Sequence, residues 1–324
     1  MSPDPTPIDP DLARLLPISR HAGYPPFEAM TPKAARSAYS ASIAAVETAP
    51  LEVASVRDLT IPGPGGPLPL RIYRGLGTGD ANLPWLLFLH GGGWVIGGLD
   101  THDRQCRRLA SRGRICVVAV DYRLAPEHPF PAALDDAVAA LRWVHAEAGA
   151  LGITADAVGV GGDSAGGNLA AALALLSRDG GMPSVAFQAL LYPALDLTAS
   201  TESYRRMTSG VPLTAATMRW FIGHYAPRES DRVDRRVSPL RANSVAGVAP
   251  ALVLTVAHDP LCDEGRAYAG RLEQEGVRVI ALHHDDQMHG LFGLGRYVPV
   301  ADLVADHVAA LVGHELRGAA ARMQ

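Results

Sequence analysis

Two short segments of this chain carry residues suited to making and stabilising a covalent intermediate. The first is Gly162-Asp-Ser-Ala-Gly166, a serine with a glycine two residues away on each side. It follows a continuous apolar run at residues 157–160 and opens a helix-period run at 166–176. A serine at a sharp strand-to-helix turn adopts strained backbone angles, and flanking glycines relieve the crowding that a Cβ would cause there. The helix then aims free N–H groups and the positive end of its dipole at the serine. Ser164 is therefore read as a nucleophile, and the N–H of Ala165, the next residue, as a donor to the negative oxygen that its attack creates. The second segment, His90-Gly-Gly-Gly-Trp94, follows directly on the apolar run 85–89. Three successive glycines leave backbone N–H groups unshielded, as an oxyanion hole requires, where each donor contributes on the order of 3 kcal/mol in the transition state.

A serine on such a turn takes its acid and then its base from further along the chain. The apolar run 252–256 leads into Ala257-His-Asp-Pro-Leu-Cys-Asp-Glu-Gly265. Asp259 falls at the carboxyl end of that strand, where ligand sites form in open α/β sheets. Asp263 and Glu264 read as capping carboxylates of the next helix, with Asp263 the reserve for the acid. Five histidines remain for the base: His283, His284, His289, His307 and His314. The first two end the last strand, and the final two fall in the terminal helix. His289 lies in a loop at 285–290 that can carry an imidazole over to the serine. The segment His283 to His289 also invites a metal reading. Strand alternation sends His283 and His284 to opposite faces, and no zinc-site spacing is present, so no metal is expected.

These residues need a scaffold that brings distant strand ends together. Continuous apolar runs at 85–89, 115–120, 157–160, 187–191, 252–256 and 277–282 mark strands buried on both faces. Helix-period segments at 103–112, 131–148, 166–176, 264–274 and 300–311 alternate with them. Ahead of them, 53–61 and 68–73 alternate as half-buried antiparallel strands around a Pro/Gly turn at 62–67. The expectation is an α/β fold: about eight strands, mostly parallel, with helices on both faces. Helix-prone stretches at 10–16 and 31–47 lie outside this pattern, and 198–239 interrupts it with an amphipathic helix at 214–225. The organisation read from this is N-terminal cap helices at 1–50, core at 51–197, a cap insertion at 198–239 and core again at 240–324.

Composition narrows the chemistry. Lys33 is the sole lysine, and it lacks the motif context that a Ser-Lys hydrolase, a Schiff-base enzyme or a P-loop NTPase requires. A net charge of −4 offers no basic face for nucleic acid. No apolar run is long enough to span a bilayer. The acidic, proline-rich start differs from a signal peptide, and Cys106, Cys116 and Cys262 read as reduced thiols, so a cytoplasmic location is expected.

Together the motifs resemble the hormone-sensitive-lipase-like (bacterial group IV) esterases of the α/β-hydrolase superfamily. The resemblance runs through His90-Gly-Gly-Gly-Trp94, Leu99-Asp-Thr-His-Asp103, Cys106-Arg-Arg-Leu-Ala110 and the stretch Asp121-Tyr-Arg-Leu-Ala-Pro-Glu-His-Pro-Phe-Pro-Ala132. It continues in Gly162-Asp-Ser-Ala-Gly-Gly-Asn168, Asp259-Pro-Leu261 and His289-Gly290. It implies an α/β-hydrolase fold, a Ser164–Asp259–His289 triad, and Gly92, Gly93 and Ala165 as oxyanion donors. A helical cap and hydrolysis of short- to medium-chain acyl esters without a cofactor are implied as well. Two positions depart from the pattern. Cys262 stands where arginine is usual, which is expected to leave that arginine's partner unpaired. Asp286-Gln-Met-His289 replaces Gly-Met-x-His, which is expected to alter the loop path.

The same triad would serve an amidase or a lactonase. A non-catalytic small-molecule receptor on this fold is the other reading, and it calls for a missing triad member. The partner expected is a small ester, with neither nucleic acid nor membrane. The run 277–282 reads as an exposed sheet edge through which two copies could form a homodimer.

Overall fold

The computed structural model describes residues 6–20, 24–46, 48–79 and 82–322. Residues 1–5 of the acidic start and Glu47 at the end of the second helix-prone stretch lie outside them. Eight strands form one sheet in the order β1-β2-β4-β3-β5-β6-β7-β8. They are β1 (Ser55–Gly63), β2 (Gly66–Arg74), β3 (Leu83–Leu89), β4 (Cys116–Val120), β5 (Ile153–Asp163), β6 (Phe187–Leu191), β7 (Ala251–His258) and β8 (Val279–Met288). β1 and β2 form an antiparallel hairpin, β2 pairs antiparallel with β4, and every other pairing is parallel. The hairpin turn is tighter than its Pro/Gly run suggests, because Pro62 pairs with Pro67 and Gly63 with Gly66.

Central strands are apolar throughout because both faces are covered. On β3, Trp85, Leu87 and Leu89 pack on one face and Leu86 and Phe88 on the other. The helices are α1 (Pro10–Arg20), α2 (Pro32–Val46), α3 (Asp103–Gly113), α4 (Ala132–Ala146), α5 (Ala148–Leu151), α6 (Ala165–Asp179), α7 (Glu202–Arg206), α8 (Ala215–Tyr225), α9 (Cys262–Gln274) and α10 (Pro299–Arg322). The first face carries α4, α6 and α9, and the second carries α3 and α10.

Chain order creates a crevice in this sheet. From β3 the chain moves outward to β4, then crosses back to β5 on the opposite side of β3 and continues through β6, β7 and β8. The carboxyl ends of β3 and β5 thus flank a topological switch point, where open α/β sheets bind ligands. The three-glycine loop leaves the end of β3, and Ser164 leaves the end of β5.

Two expectations change. The last strand runs on to Met288 instead of ending at His283 and His284, so His289 follows it directly with no loop between. Asp286 falls where the pairing of β7 with β8 shifts register, between the pairs Val256–His284 and His258–Met288, and its carbonyl accepts from the Asp9 N–H at 2.9 Å. Asp263 and Glu264 do not cap α9. Asp263 accepts the Ser203 N–H at 2.7 Å, and the fully buried Glu264 accepts the Leu195 N–H at 2.6 Å. Each ties the start of α9 to the chain after β6, through an N–H that would otherwise lack a partner.

Candidate active site

The serine sits in a turn that only glycines could close. A Cβ on Gly162 would lie 2.2 Å from the Leu89 carbonyl oxygen, and one on Gly166 only 1.8 Å from it. Both glycines therefore let the β5–α6 turn press against the end of β3, which brings Ser164 beside the loop that begins at His90. Ser164 itself has φ 55° and ψ −117°, a conformation an L-residue avoids unless its surroundings impose it. Its N–H donates to the Leu191 carbonyl at 2.8 Å, and its own carbonyl accepts from Asn168 and Ala194 at 3.1 and 3.2 Å.

His289 reaches this serine from the far side of the sheet. Its Nε2 lies 3.0 Å from Ser164 Oγ, and its Nδ1 lies 2.7 Å from Asp259 Oδ2. Asp259 is fully buried at the end of β7, and its other oxygen accepts the Leu261 N–H at 2.8 Å. A buried carboxylate on Nδ1 favours the tautomer with the proton there, which leaves the Nε2 lone pair for the serine hydroxyl. The structure thus joins Ser164, His289 and Asp259 in one hydrogen-bonded line. Of the other candidates, His307 and His314 lie on α10, and His283 bonds Thr255 Oγ at 2.8 Å and Asp285 at 3.0 Å.

The three-glycine loop turns back over the serine. Gly92 and Gly93 have φ of 110° and 58°, left-handed values that would strain a side-chain-bearing residue. Gly92's carbonyl points away into a turn, accepting from Val95 and Ile96 at 3.1 and 2.9 Å. Among the described residues, the N–H groups of Gly92, Gly93 and Ala165 donate to no protein acceptor.

Residues that the sequence left without a role line this site. Asp163, the unassigned position of the serine motif, accepts the Gly91 N–H at 2.9 Å. Burial raises its carboxyl, but the adjoining His102, with His90 and His289 nearby, brings it below the usual carboxylate range. The His90 ring stacks on Tyr122 at 4.1 Å, and the Tyr122 hydroxyl donates to the His90 carbonyl at 2.6 Å. Tyr192, at the end of β6, sets its ring edge-on to His289 at 4.8 Å. Its backbone has φ 36°, and only the position after an apolar strand marks it in the sequence. Phe221 of α8 lies over Gly93, and Trp94 stacks on Tyr225 at 4.4 Å.

Comparison with known proteins agrees with this architecture. A family model described as alpha/beta hydrolase fold matches residues 86–293. The chain is 42% identical over 294 residues to carboxylic ester hydrolase LipN of Mycobacterium tuberculosis, covering 89% of this chain and 77% of that protein. It is 39% identical over 302 residues to ethyl acetate hydrolase of Pseudomonas putida, covering 91% and 95%. Among solved structures, a hyperthermophilic esterase from the archaeon Pyrobaculum calidifontis superposes with a TM-score of 0.87 at 37% identity, covering 95% of this chain and 99% of that one. With its sheet order, its serine turn and these relatives, the chain belongs to the α/β-hydrolase superfamily, in the hormone-sensitive-lipase-like (group IV) branch.

Proposed function

We propose that this protein is a serine carboxylic-ester hydrolase that acts on short- to medium-chain acyl esters through an acyl-enzyme. The observation that carries the reading is the unbroken Asp259–His289–Ser164 line, at 2.7 and 3.0 Å, beside three unengaged backbone N–H groups. Ester hydrolases among its relatives support the same class.

In this reading His289 Nε2 takes the Ser164 proton as Oγ attacks the ester carbonyl, and Asp259 stabilises the imidazolium that forms. The N–H groups of Gly92, Gly93 and Ala165 receive the oxyanion, their positions fixed before the charge appears. His289 then protonates the departing alkoxide, and water repeats the sequence on the acyl-enzyme. Amides and lactones suit the same groups, but an alkoxide leaves with less help from a general acid than an amine does, which favours esters. No step calls for a cofactor.

The cap belongs to this proposal too. Thr217 Oγ donates to Glu28 at 2.7 Å, and the rings of Phe27 and Phe221 meet at 6.0 Å, so the insertion and the N-terminal segment act together over the glycine loop. No helix among the described residues is long and apolar enough to cross a membrane. Three buried, unpaired cysteines support a reducing, cytoplasmic location. β8 is an outer strand with Ala281, His283 and Asp285 exposed, which supports pairing with a second copy. Sedimentation across a concentration series would show a dimer or, if only monomer mass appears, remove that part.

A direct test of the mechanism is covalent labelling. A p-nitrophenyl alkylphosphonate is expected to add one phosphonyl group to the peptide containing Ser164. Labelling elsewhere, or none in folded protein, would contradict the proposal.

A further inference from the structure

The glycine loop is closed across its base by a buried polar chain that the reaction itself does not use. Asp163 Oδ1 accepts the Gly91 N–H at 2.9 Å and lies 3.3 Å from His102 Nε2. The same Gly91 N–H is 3.2 Å from that ring nitrogen. Were Nε2 unprotonated, its lone pair would face a carboxylate oxygen, so Nε2 carries a proton and donates to Asp163. On the other side of the ring, Nδ1 is 2.9 Å from Thr101 Oγ. That hydroxyl oxygen contacts both the N–H and the carbonyl of Gly98 at 3.0 Å. The chain Gly91–Asp163–His102–Thr101–Gly98 therefore links the two ends of the loop that contains Gly92 and Gly93.

Its members are out of water: His102 is 1% exposed, Asp163 6% and Thr101 8%. The fit is tight, since a Cβ on Gly91 would fall 2.2 Å from Asp163 Oδ2. Asp163 also precedes Ser164 directly in the chain. One residue thus grips the donor loop while its neighbour carries the nucleophile, so the offset between serine and donors is set across a single peptide bond. A lone carboxylate this close would oppose an oxyanion. Here two N–H donors converge on its Oδ1 and draw off the charge.

We propose that Asp163 and His102 are positioning residues that hold the glycine loop in register with Ser164 before substrate arrives. The inference rests on the esterase reading above and concerns how its oxyanion donors are aimed. Loss of positioning raises the barrier to chemistry and leaves ground-state binding largely intact.

The experiment compares full-length wild type, Asp163→Ala, Asp163→Asn and His102→Gln. It reads kcat and KM on p-nitrophenyl butanoate, the rate constant for labelling by a p-nitrophenyl alkylphosphonate, and folding by near-UV circular dichroism. Asparagine keeps an acceptor for the Gly91 N–H, and glutamine keeps a donor toward Asp163. Asp163→Ala is expected to lower kcat and the labelling rate together by about 100-fold, with KM within about threefold. Asp163→Asn should recover at least roughly tenfold of that loss, and His102→Gln should lose about tenfold. A folded Asp163→Ala with kcat within threefold of wild type overturns the proposal, as does an equal loss in Asp163→Asn. Should Asp163→Ala not fold, wild-type rates in both other variants overturn it and the stated losses support it. Wild type that is labelled at Ser164 alongside unaffected variants sinks this inference alone. Wild type that is not labelled sinks the esterase reading, and this one with it.

Discussion

The ring of Phe221 lies so close over Gly93 that a Cβ on that glycine would come within 2.1 Å of the ring's Cγ. Gly93 is also left-handed at φ 58°, so substitution there strains the backbone and displaces the helix above. Gly93→Ala is expected to lower kcat by about 100-fold, since it moves an oxyanion donor. Phe221→Ala should open space above the loop. Its kcat/KM for a decanoyl ester relative to a butanoyl ester is expected to rise roughly tenfold. An unchanged chain-length profile would place the acyl group elsewhere.

His90 links stability to acid. Burial, with His102 nearby, pushes its ring down to about 3 from an ordinary value of 6.5. Below pH 6.5 the unfolded chain takes up a proton that the folded chain refuses, so stability falls with pH until about 3. By pH 4.5 this costs about 3 kcal/mol. Urea titrations of wild type and His90→Gln at pH 7 and 4.5 should show a smaller acid loss in the variant, by that order. Parallel losses would show that His90 charges freely in the folded protein.

Glu264 behaves in the opposite sense. Burial holds its carboxyl well above the ordinary range, while its Oε1 accepts the Leu195 N–H. A raised carboxyl stabilises most below its unfolded value, and that contribution is lost as pH rises through its folded one. A protonated carboxyl resembles a primary amide in shape, so Glu264→Gln should stay within about 1 kcal/mol of wild type near neutral pH, while Glu264→Ala loses about 2–4. Equal losses in the two variants, measured by urea unfolding, would mean that a charged Glu264 is required.

Arg36 fastens α2 to the loop region. Its Nε donates to the Val95 carbonyl at 2.8 Å and Nη2 to the Ala125 carbonyl at 2.9 Å, while both terminal nitrogens bind Glu127 at 2.9 and 2.5 Å. A lysine ammonium cannot span these acceptors. In Arg36→Lys, amide exchange within α2 is expected to quicken roughly tenfold or more, with the central strands unchanged. Wild-type exchange in α2 would show the clamp to be dispensable.

Much of this was legible in the chain because burial on both faces leaves a plain mark. The apolar run 187–191 is β6 residue for residue. Edge strands hide better. β8 alternates between exposed and half-buried positions up to Asp286, and Asp285 to Met288 look like a loop because an outer strand can send polar side chains to water. α10 likewise runs past 311 to Arg322, and its last turns still bury Leu316 and Ala319. Ser164, Asp259 and His289 could be named from motif and chain order, and they lie within hydrogen-bond reach of one another. The grip of Asp163 on Gly91 joins residues 72 apart, and no spacing rule announces it. Nor does sequence show that Glu264 turns inward, since an acidic residue in a first helical turn usually faces solvent.

Steady-state hydrolysis of p-nitrophenyl esters of graded acyl length, wild type beside Ser164→Ala, asks whether this serine carries the reaction. Turnover is expected to be highest on short to medium chains and to fall by at least ~1,000-fold in the folded variant. A folded Ser164→Ala that hydrolyses these esters at a near-wild-type rate would contradict that role for Ser164.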